Sequence, residues 1–276
     1  MVVANNTTQW AELEPKKGFN FENYERNINL IKDKKVPTPK LHKTGTTLAG
    51  CVFEGGVVMG ADTRATSGET IAEKRCFKIH RITDNIYCCG SGTSADCDQV
   101  TTMTSTKMEL HKLNTGRTPR VGTACRQLAQ HLFYYQGHVS AGLILGGMDP
   151  AGAHVIQIHP YGSTAKLPYT TMGSGSLAAM SVLEDGWKPG MNEEQAKKLV
   201  RDAIASGILS DGYSGSQVDL VVITKDKTDY LREYDVICDK GVRIGKYSFK
   251  PGTTPVLSEK MTAVVVDETI ETMDTA

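Results

Sequence analysis

The chain lacks a net charge: Lys+Arg and Asp+Glu number 31 each. No global field therefore draws nucleic acid or an anionic membrane, and a neutral chain tends to associate rather than stay solitary. It also lacks any apolar run near the ~20 residues that span a bilayer. Its first stretch, Met1-Val2-Val3-Ala4-Asn5-Asn6-Thr7-Thr8-Gln9, has neither the basic nor the apolar region of a secretory signal. A soluble intracellular protein is expected. Cysteine pairing patterns are missing too. Cys51, Cys76, Cys88, Cys89, Cys97, Cys125 and Cys238 are odd in number, contain no C-x-x-C pair and have no histidine at zinc spacing. Free buried thiols are expected, with no metal and no cofactor. What is present, 39% hydrophobic and 22% charged residues in a chain of 276, fits a globular protein of one large domain or two ordinary ones.

One stretch stands out chemically. In Lys43-Thr44-Gly45-Thr46-Thr47-Leu48-Ala49-Gly50, two threonines directly after a glycine open an apolar strand. If the Gly45-Thr46 bond is cut, Thr46 gains a free α-amino group on the residue that carries its hydroxyl. An α-amino group titrates near pH ~8, where a backbone amide does not titrate at all. A threonine hydroxyl is a weak nucleophile until a base takes its proton, and an N-terminal amine can be that base. The plainer reading of Thr46 is a threonine at the start of a strand.

Residues 1–45 are polar and turn basic toward Lys32-Asp33-Lys34-Lys35-Val36-Pro37-Thr38-Pro39-Lys40, an extended and accessible segment, either a tail or a removable propeptide. From Thr47 the pattern is strand, the turn Glu54-Gly55-Gly56, and strand again. Ile86 to Gly90 reads as another strand, ending in a loop at Gly90-Ser91-Gly92-Thr93. Two helices follow. Val100, Met103, Leu110 and Leu113 mark the first, stopped by Gly116; Val121, Ala124, Cys125, Leu128, Leu132 and Tyr135 mark the second. Strands are expected over 140–146, 154–159 and 166–172, and a third helix after Gly173-Ser174-Gly175-Ser176. A fourth helix begins at Asn192, with Gln195 completing a capping box, and runs through Ala196, Leu199, Val200, Ala203 and Ile204 to Gly207. Residues 219–224 read as a buried strand. This order suits helices covering two packed sheets, among other mixed layerings of helix and sheet.

Gly45-Thr46-Thr47-Leu48-Ala49-Gly50, followed by Gly60-Ala61-Asp62-Thr63-Arg64-Ala65-Thr66, resembles the catalytic beta subunits of the proteasome, most closely the type with trypsin-like activity. The resemblance runs from about residue 17 to the C-terminus. It implies an α+β fold, the four-layer αββα sandwich of the N-terminal nucleophile hydrolases, over residues 46–240. It also implies a propeptide over 1–45 removed by autolysis between Gly45 and Thr46, and a tail over 241–276 that docks on a neighbouring subunit, with the apolar run 261–266 in its middle. The function implied is a threonine endopeptidase working beside other alpha and beta subunits in stacked rings in the cytoplasm and nucleus. Its substrate is unfolded polypeptide, cut preferentially after basic residues, with no nucleic acid or membrane involved.

The same resemblance assigns roles. Lys78 is the cation beside Thr46 and Asp62 its carboxylate partner; a nearby cation lowers the pKa of amine and hydroxyl alike. Ser174, Asp211 and Ser214 bond the free amine and relay protons, although Gly212-Tyr213 departs from the leucine and glycine usual between this Asp and Ser. Gly92 supplies a backbone N–H to the oxyanion. Thr66 and Ser94 pair with substrate as an added strand. Gly90 leaves the specificity pocket long, and Asp98 lies within reach of it to favour Arg or Lys. Read bare, Lys78 is a surface lysine, Gly92 a turn glycine and Asp98 an acid favoured at a helix N-terminus. A structural subunit without chemistry, or an amidase acting on a small molecule, are the competing readings.

Overall fold

The computed structural model describes residues 45–238 without a break, with 26, 28, 29, 32 and 33 before them and 241, 242, 244, 245, 250, 252, 253 and 256–263 after. Most of the expected propeptide, and residues 264–266 of the apolar run in the tail, lie outside the described residues. The chain divides into two compact units, Met1–Asp239 and Lys240–Ala276.

The first unit begins with β1 (Leu48–Phe53), β2 (Gly56–Asp62) and a small hairpin, β3 (Ala65–Ser67) with β4 (Thr70–Glu73). Next come β5 (Ile79–Thr83), β6 (Ile86–Gly92), α1 (Ser94–Thr115) and α2 (Val121–Tyr134). Four strands follow: β7 (Ala141–Asp149), β8 (Gly152–Ile158), β9 (Thr164–Lys166) and β10 (Tyr169–Met172). The last elements are α3 (Ser176–Gly186), α4 (Glu193–Ser210), β11 (Gln217–Thr224) and β12 (Thr228–Val236).

Nearly every residue of β1, β2 and β11 is buried, which a strand shows only when both its faces are covered. Successive side chains go to opposite faces. Leu48, Val57, Met59, Ala61, Val221 and Ile223 meet Ile144, Val155 and Cys89 of a second sheet, while Ala49, Cys51, Val58, Leu220 and Val222 meet Leu183, Leu199, Val200 and Ile204 of α3 and α4. The first sheet is antiparallel, in the order β10-β1-β2-β11-β12; the second runs β5-β6-β7-β8-β9. Leu143, Leu145, Ile156 and Ile158 on the outer face of the second sheet pack against Met108, Leu128 and Leu132 of α1 and α2. The layers are therefore helix, sheet, sheet, helix: the αββα sandwich.

Several elements depart from the sequence pattern, each for a local reason. Gly90, Ser91 and Gly92 are not a loop; they extend β6, paired with Leu143, Gly142 and Ala141 of β7. The expected strand over 166–172 is two strands in different sheets, β9 and β10, separated at Pro168, which has no N–H for a ladder. In α1 the buried face is Cys97, Val100, Thr101, Thr104 and Met108, whereas Leu110 and Leu113 are exposed. Thr101 and Thr104 donate to the carbonyls of Cys97 and Val100 (2.7 and 2.8 Å), so their hydroxyls are satisfied within the helix and their methyl sides can be buried. In α4 the Asn192–Gln195 capping box forms as expected, but Gly207 lies inside the helix rather than ending it. A Cβ there would fall 2.3 Å from Thr47 Cγ2, so the helix passes close over the N-terminal strand only because position 207 has no side chain.

Candidate active site

Pairing of β1 with β2, in the register Leu48 with Ala61, sets Asp62 beside Thr47. The Asp62 N–H donates to the Thr47 carbonyl (3.2 Å) and the Thr47 N–H returns a bond to Asp62 Oδ1 (2.9 Å). The Asp62 side chain is fully buried and carries three further donors: Lys78 Nζ on Oδ1 (2.9 Å), and the N–H groups of Gly215 (3.1 Å) and Arg64 (3.3 Å) on Oδ2. Lys78, the residue just before β5, is itself buried, and its backbone is tied to β6 through the Gly90 N–H (3.0 Å). A charge held in so dry a place needs a partner, and Asp62 supplies it. A second Lys78 hydrogen bond runs from Nζ to the Gly45 carbonyl (3.0 Å), the carbonyl of the bond expected to be cut. The Thr46 hydroxyl donates to that same oxygen (2.7 Å). No side chain fits at position 45, where a Cβ would lie 1.9 Å from Tyr213 Cβ. Thr46, Asp62 and Lys78 are thus brought together.

The other side of Thr46 meets the second group of expected residues. The Thr46 nitrogen donates to Ser174 Oγ (3.0 Å), in the turn between β10 and α3. Ser174 Oγ donates to Asp211 Oδ2 (2.5 Å), at the C-terminal end of α4, and Ser214 Oγ donates to the same oxygen (2.7 Å). Burial alone pushes the Asp211 carboxyl up, but the hydroxyls of Ser174 and Ser214 and the backbone N–H groups of Tyr213 and Ser214 outweigh it and hold the carboxyl below its ordinary value. The replacement of the usual residues by Gly212-Tyr213 leaves this network intact.

A cavity opens next to Thr46, lined by Ala65, Cys76, Phe77, Lys78, His80, Gly90, Ser91, Gly92, Ser94, Cys97 and Asp98. Gly90 lines it without a side chain: a Cβ there would crowd Cys97 Cβ and Sγ at 3.1 and 3.2 Å and would approach His80. Asp98, in the first turns of α1 and 58% exposed, stands at one wall with its Oδ1 3.7 Å from His80 Nδ1. Burial lowers the His80 pKa, and the Asp98 charge only partly opposes this. Gly92 also lines a second cavity at Thr46, with Ser140, Gly142, Pro160, Met172 and Ser174. Its φ of +119° lies in the region that favours glycine, and a Cβ would strike the Ser140 carbonyl at 2.3 Å. Ser94 lies on the cavity wall, and Thr66, on β3, directly follows the lining residue Ala65.

His80, Cys76, Cys97 and Thr47 escaped the sequence reading. A signal existed for His80: it stands two residues after Lys78 at the head of β5, so the two share a face. The lowered Asp211 carboxyl yields a pH prediction. An acid whose folded pKa is depressed contributes stability above its ordinary value and loses it as pH falls through the lowered one. The thermal-unfolding advantage of the native protein over Asp211→Asn should therefore hold constant from about pH 7 to about pH 5 and shrink only below about pH 4. Shrinkage already at about pH 6 would contradict the network.

Comparison with known proteins agrees with this geometry. Residues 42–223 match the family model described as proteasome subunit, and residues 238–270 match the model for the C-terminal region of proteasome beta subunits. The chain is 47% identical to proteasome subunit beta type-10 of Mus musculus, over 95% of this chain and 97% of the relative. It is 50% identical to proteasome subunit beta type-7 of Dictyostelium discoideum (91% and 96%) and 47% identical to the probable proteasome subunit beta type-2 of Schizosaccharomyces pombe (95% and 97%). Membership implies assembly with other proteasome subunits. A match running through the body of the chain and again through its C-terminal stretch, over a site in which Thr46, Lys78 and Asp62 converge, shows that this chain belongs to the proteasome beta-subunit family and is one of its threonine peptidases.

Proposed function

We propose that this protein cuts polypeptides after basic residues and that it activates itself by cutting Gly45–Thr46. The observation that carries the second part is the convergence of the Thr46 hydroxyl and the Lys78 ammonium on the Gly45 carbonyl oxygen, at 2.7 and 3.0 Å. Attack by Thr46 Oγ on that carbonyl carbon closes a five-membered ring, with Lys78 stabilising the charge that gathers on the oxygen. Collapse breaks the C–N bond, moves the acyl group from nitrogen to Oγ and leaves a free amine. Water then hydrolyses the ester, releasing the preceding segment as a carboxylic acid and restoring the hydroxyl.

The freed nitrogen stays within reach of Ser174 Oγ and can take the hydroxyl proton when a substrate carbonyl replaces that of Gly45. In this reading Asp62 holds Lys78, the Ser174, Asp211 and Ser214 set orients the amine, and Gly92 donates to the oxyanion. The side chain before the scissile bond enters the cavity of Gly90 and His80. A long cationic side chain reaches the Asp98 carboxylate there, which lies close enough to the wall to form a charge-assisted hydrogen bond. The apolar side chains Val242, Ile244, Val256, Leu257 and Met261, all exposed in the second unit, support a tail that docks on a neighbouring subunit.

Two outcomes test the proposal in assembled particles. Thr46→Ala should abolish both removal of residues 1–45 and cleavage after Arg at this ring position; retained turnover of an Arg substrate would refute it. Asp98→Asn should lower kcat/KM for Arg substrates by about tenfold relative to substrates with a neutral residue there, the scale of one charge-assisted hydrogen bond. An unchanged preference would return Asp98 to the role of a helix acid.

A further inference from the structure

Thr47 has no part in the chemistry above, yet it touches both halves of the site. Its backbone is bonded twice to Asp62, at 2.9 Å through its N–H and at 3.2 Å through its carbonyl. Its side chain is fully buried, and Oγ1 lies 2.8 Å from Ser214 Oγ. Glycines make room for it on two sides: a Cβ at Gly175 would fall 2.0 Å from Thr47 Oγ1, and one at Gly207 would fall 2.3 Å from its Cγ2.

The direction of the hydrogen bonds follows from counting protons. Each hydroxyl has one to give. The Asp211 carboxylate has none, so Ser214 commits its proton to Asp211 Oδ2 (2.7 Å) and can only accept from Thr47. On the other arm Ser174 also points its proton at Asp211 Oδ2 (2.5 Å) and accepts from the Thr46 nitrogen. Thr47 is therefore the far end of a chain of donors whose other end is the nucleophile's own nitrogen. Donation by Thr47 polarises the Ser214 hydroxyl and strengthens its bond to Asp211.

We propose that Thr47 is a positioning residue whose hydroxyl, acting through Ser214, fixes Asp211 and Ser174 against the Thr46 amine. This rests on the peptidase reading given above. Thr47 lines neither cavity beside Thr46, so its effect belongs to turnover and not to substrate binding.

The test uses particles carrying Thr47→Val, which keeps the shape and loses the hydroxyl, and Thr47→Ser, which keeps the hydroxyl and loses the methyl group. Thr47→Val should lower kcat for an Arg substrate about fivefold, the effect of one hydrogen bond, with KM unchanged, while Thr47→Ser restores kcat to within about twofold of the native value. In a Ser214→Ala background the Val substitution should have no further effect, because the hydroxyl then has nothing to act through. Thr47→Ala, smaller than the native side chain, is read in the same way if the Val chain does not enter the particle. Native kcat in Thr47→Val, a larger loss in Thr47→Ser than in Thr47→Val, or an undiminished Val effect without Ser214 would each overturn the inference. The peptidase reading is checked separately in the same preparations: if Thr46→Ala leaves Arg cleavage intact, that reading fails, whatever the Thr47 variants do.

Discussion

A buried ion pair holds this site together. Lys78 is 7% exposed and Asp62 not at all, at 2.9 Å from one another. Taking both charges out of water is costly, and only close geometry with every remaining lone pair or proton engaged makes the arrangement tolerable. Asp62 meets that condition with four donors drawn from four places in the chain: Lys78, the Thr47 N–H, the Arg64 N–H and the Gly215 N–H. Removing one partner of such a pair typically costs about 3–5 kcal/mol, because the other charge is left behind unpaired. The pair is therefore a poor device for stability and a good one for placing an ammonium at the Gly45 carbonyl.

The sandwich explains why those pieces meet. β1 and β2 lie side by side in the first sheet, while Lys78 directly precedes β5 and Gly90 lies on β6, the first two strands of the second. The ends of both sheets thus border one cavity. The helices contribute from outside: α3 begins just beyond Ser174, and α4 ends at Asp211. Close approach is secured by missing side chains. A Cβ at Gly60 would fall 2.8 Å from Leu220 Cδ2 and 2.9 Å from Val200 Cγ1, so α4 can rest near β2; Gly175 and Gly207 do the same around Thr47.

Much of this was legible in the residues, for reasons that differ from place to place. The apolar stripe of α2 and the capping box of α4 are local, and local patterns survive folding. The junction at Gly45-Thr46 is compatible with a masked nucleophile, but on the residues alone a threonine at the start of a strand is the plainer reading, and only the family resemblance overrides it. Lys78 and Asp62 were reachable only through family resemblance, because a single lysine and a single aspartate carry no mark of being buried together. What stayed hidden depended on tertiary contact. Thr101 and Thr104 look polar but are buried, with their hydroxyls bonded inside α1; Gly207 looks like a helix stop but is space kept for Thr47; residues 166–172 look like one strand but serve two sheets.

The central claim is that Thr46 becomes the N-terminal nucleophile of the mature protein. Its most direct test is the intact mass and N-terminal sequence of the chain isolated from its assembled complex. The geometry predicts a chain that begins Thr46-Thr47-Leu48-Ala49-Gly50, lacking residues 1–45. A mature complex in which the chain still carries residues 1–45 would leave Thr46 without a free amine and contradict the claim.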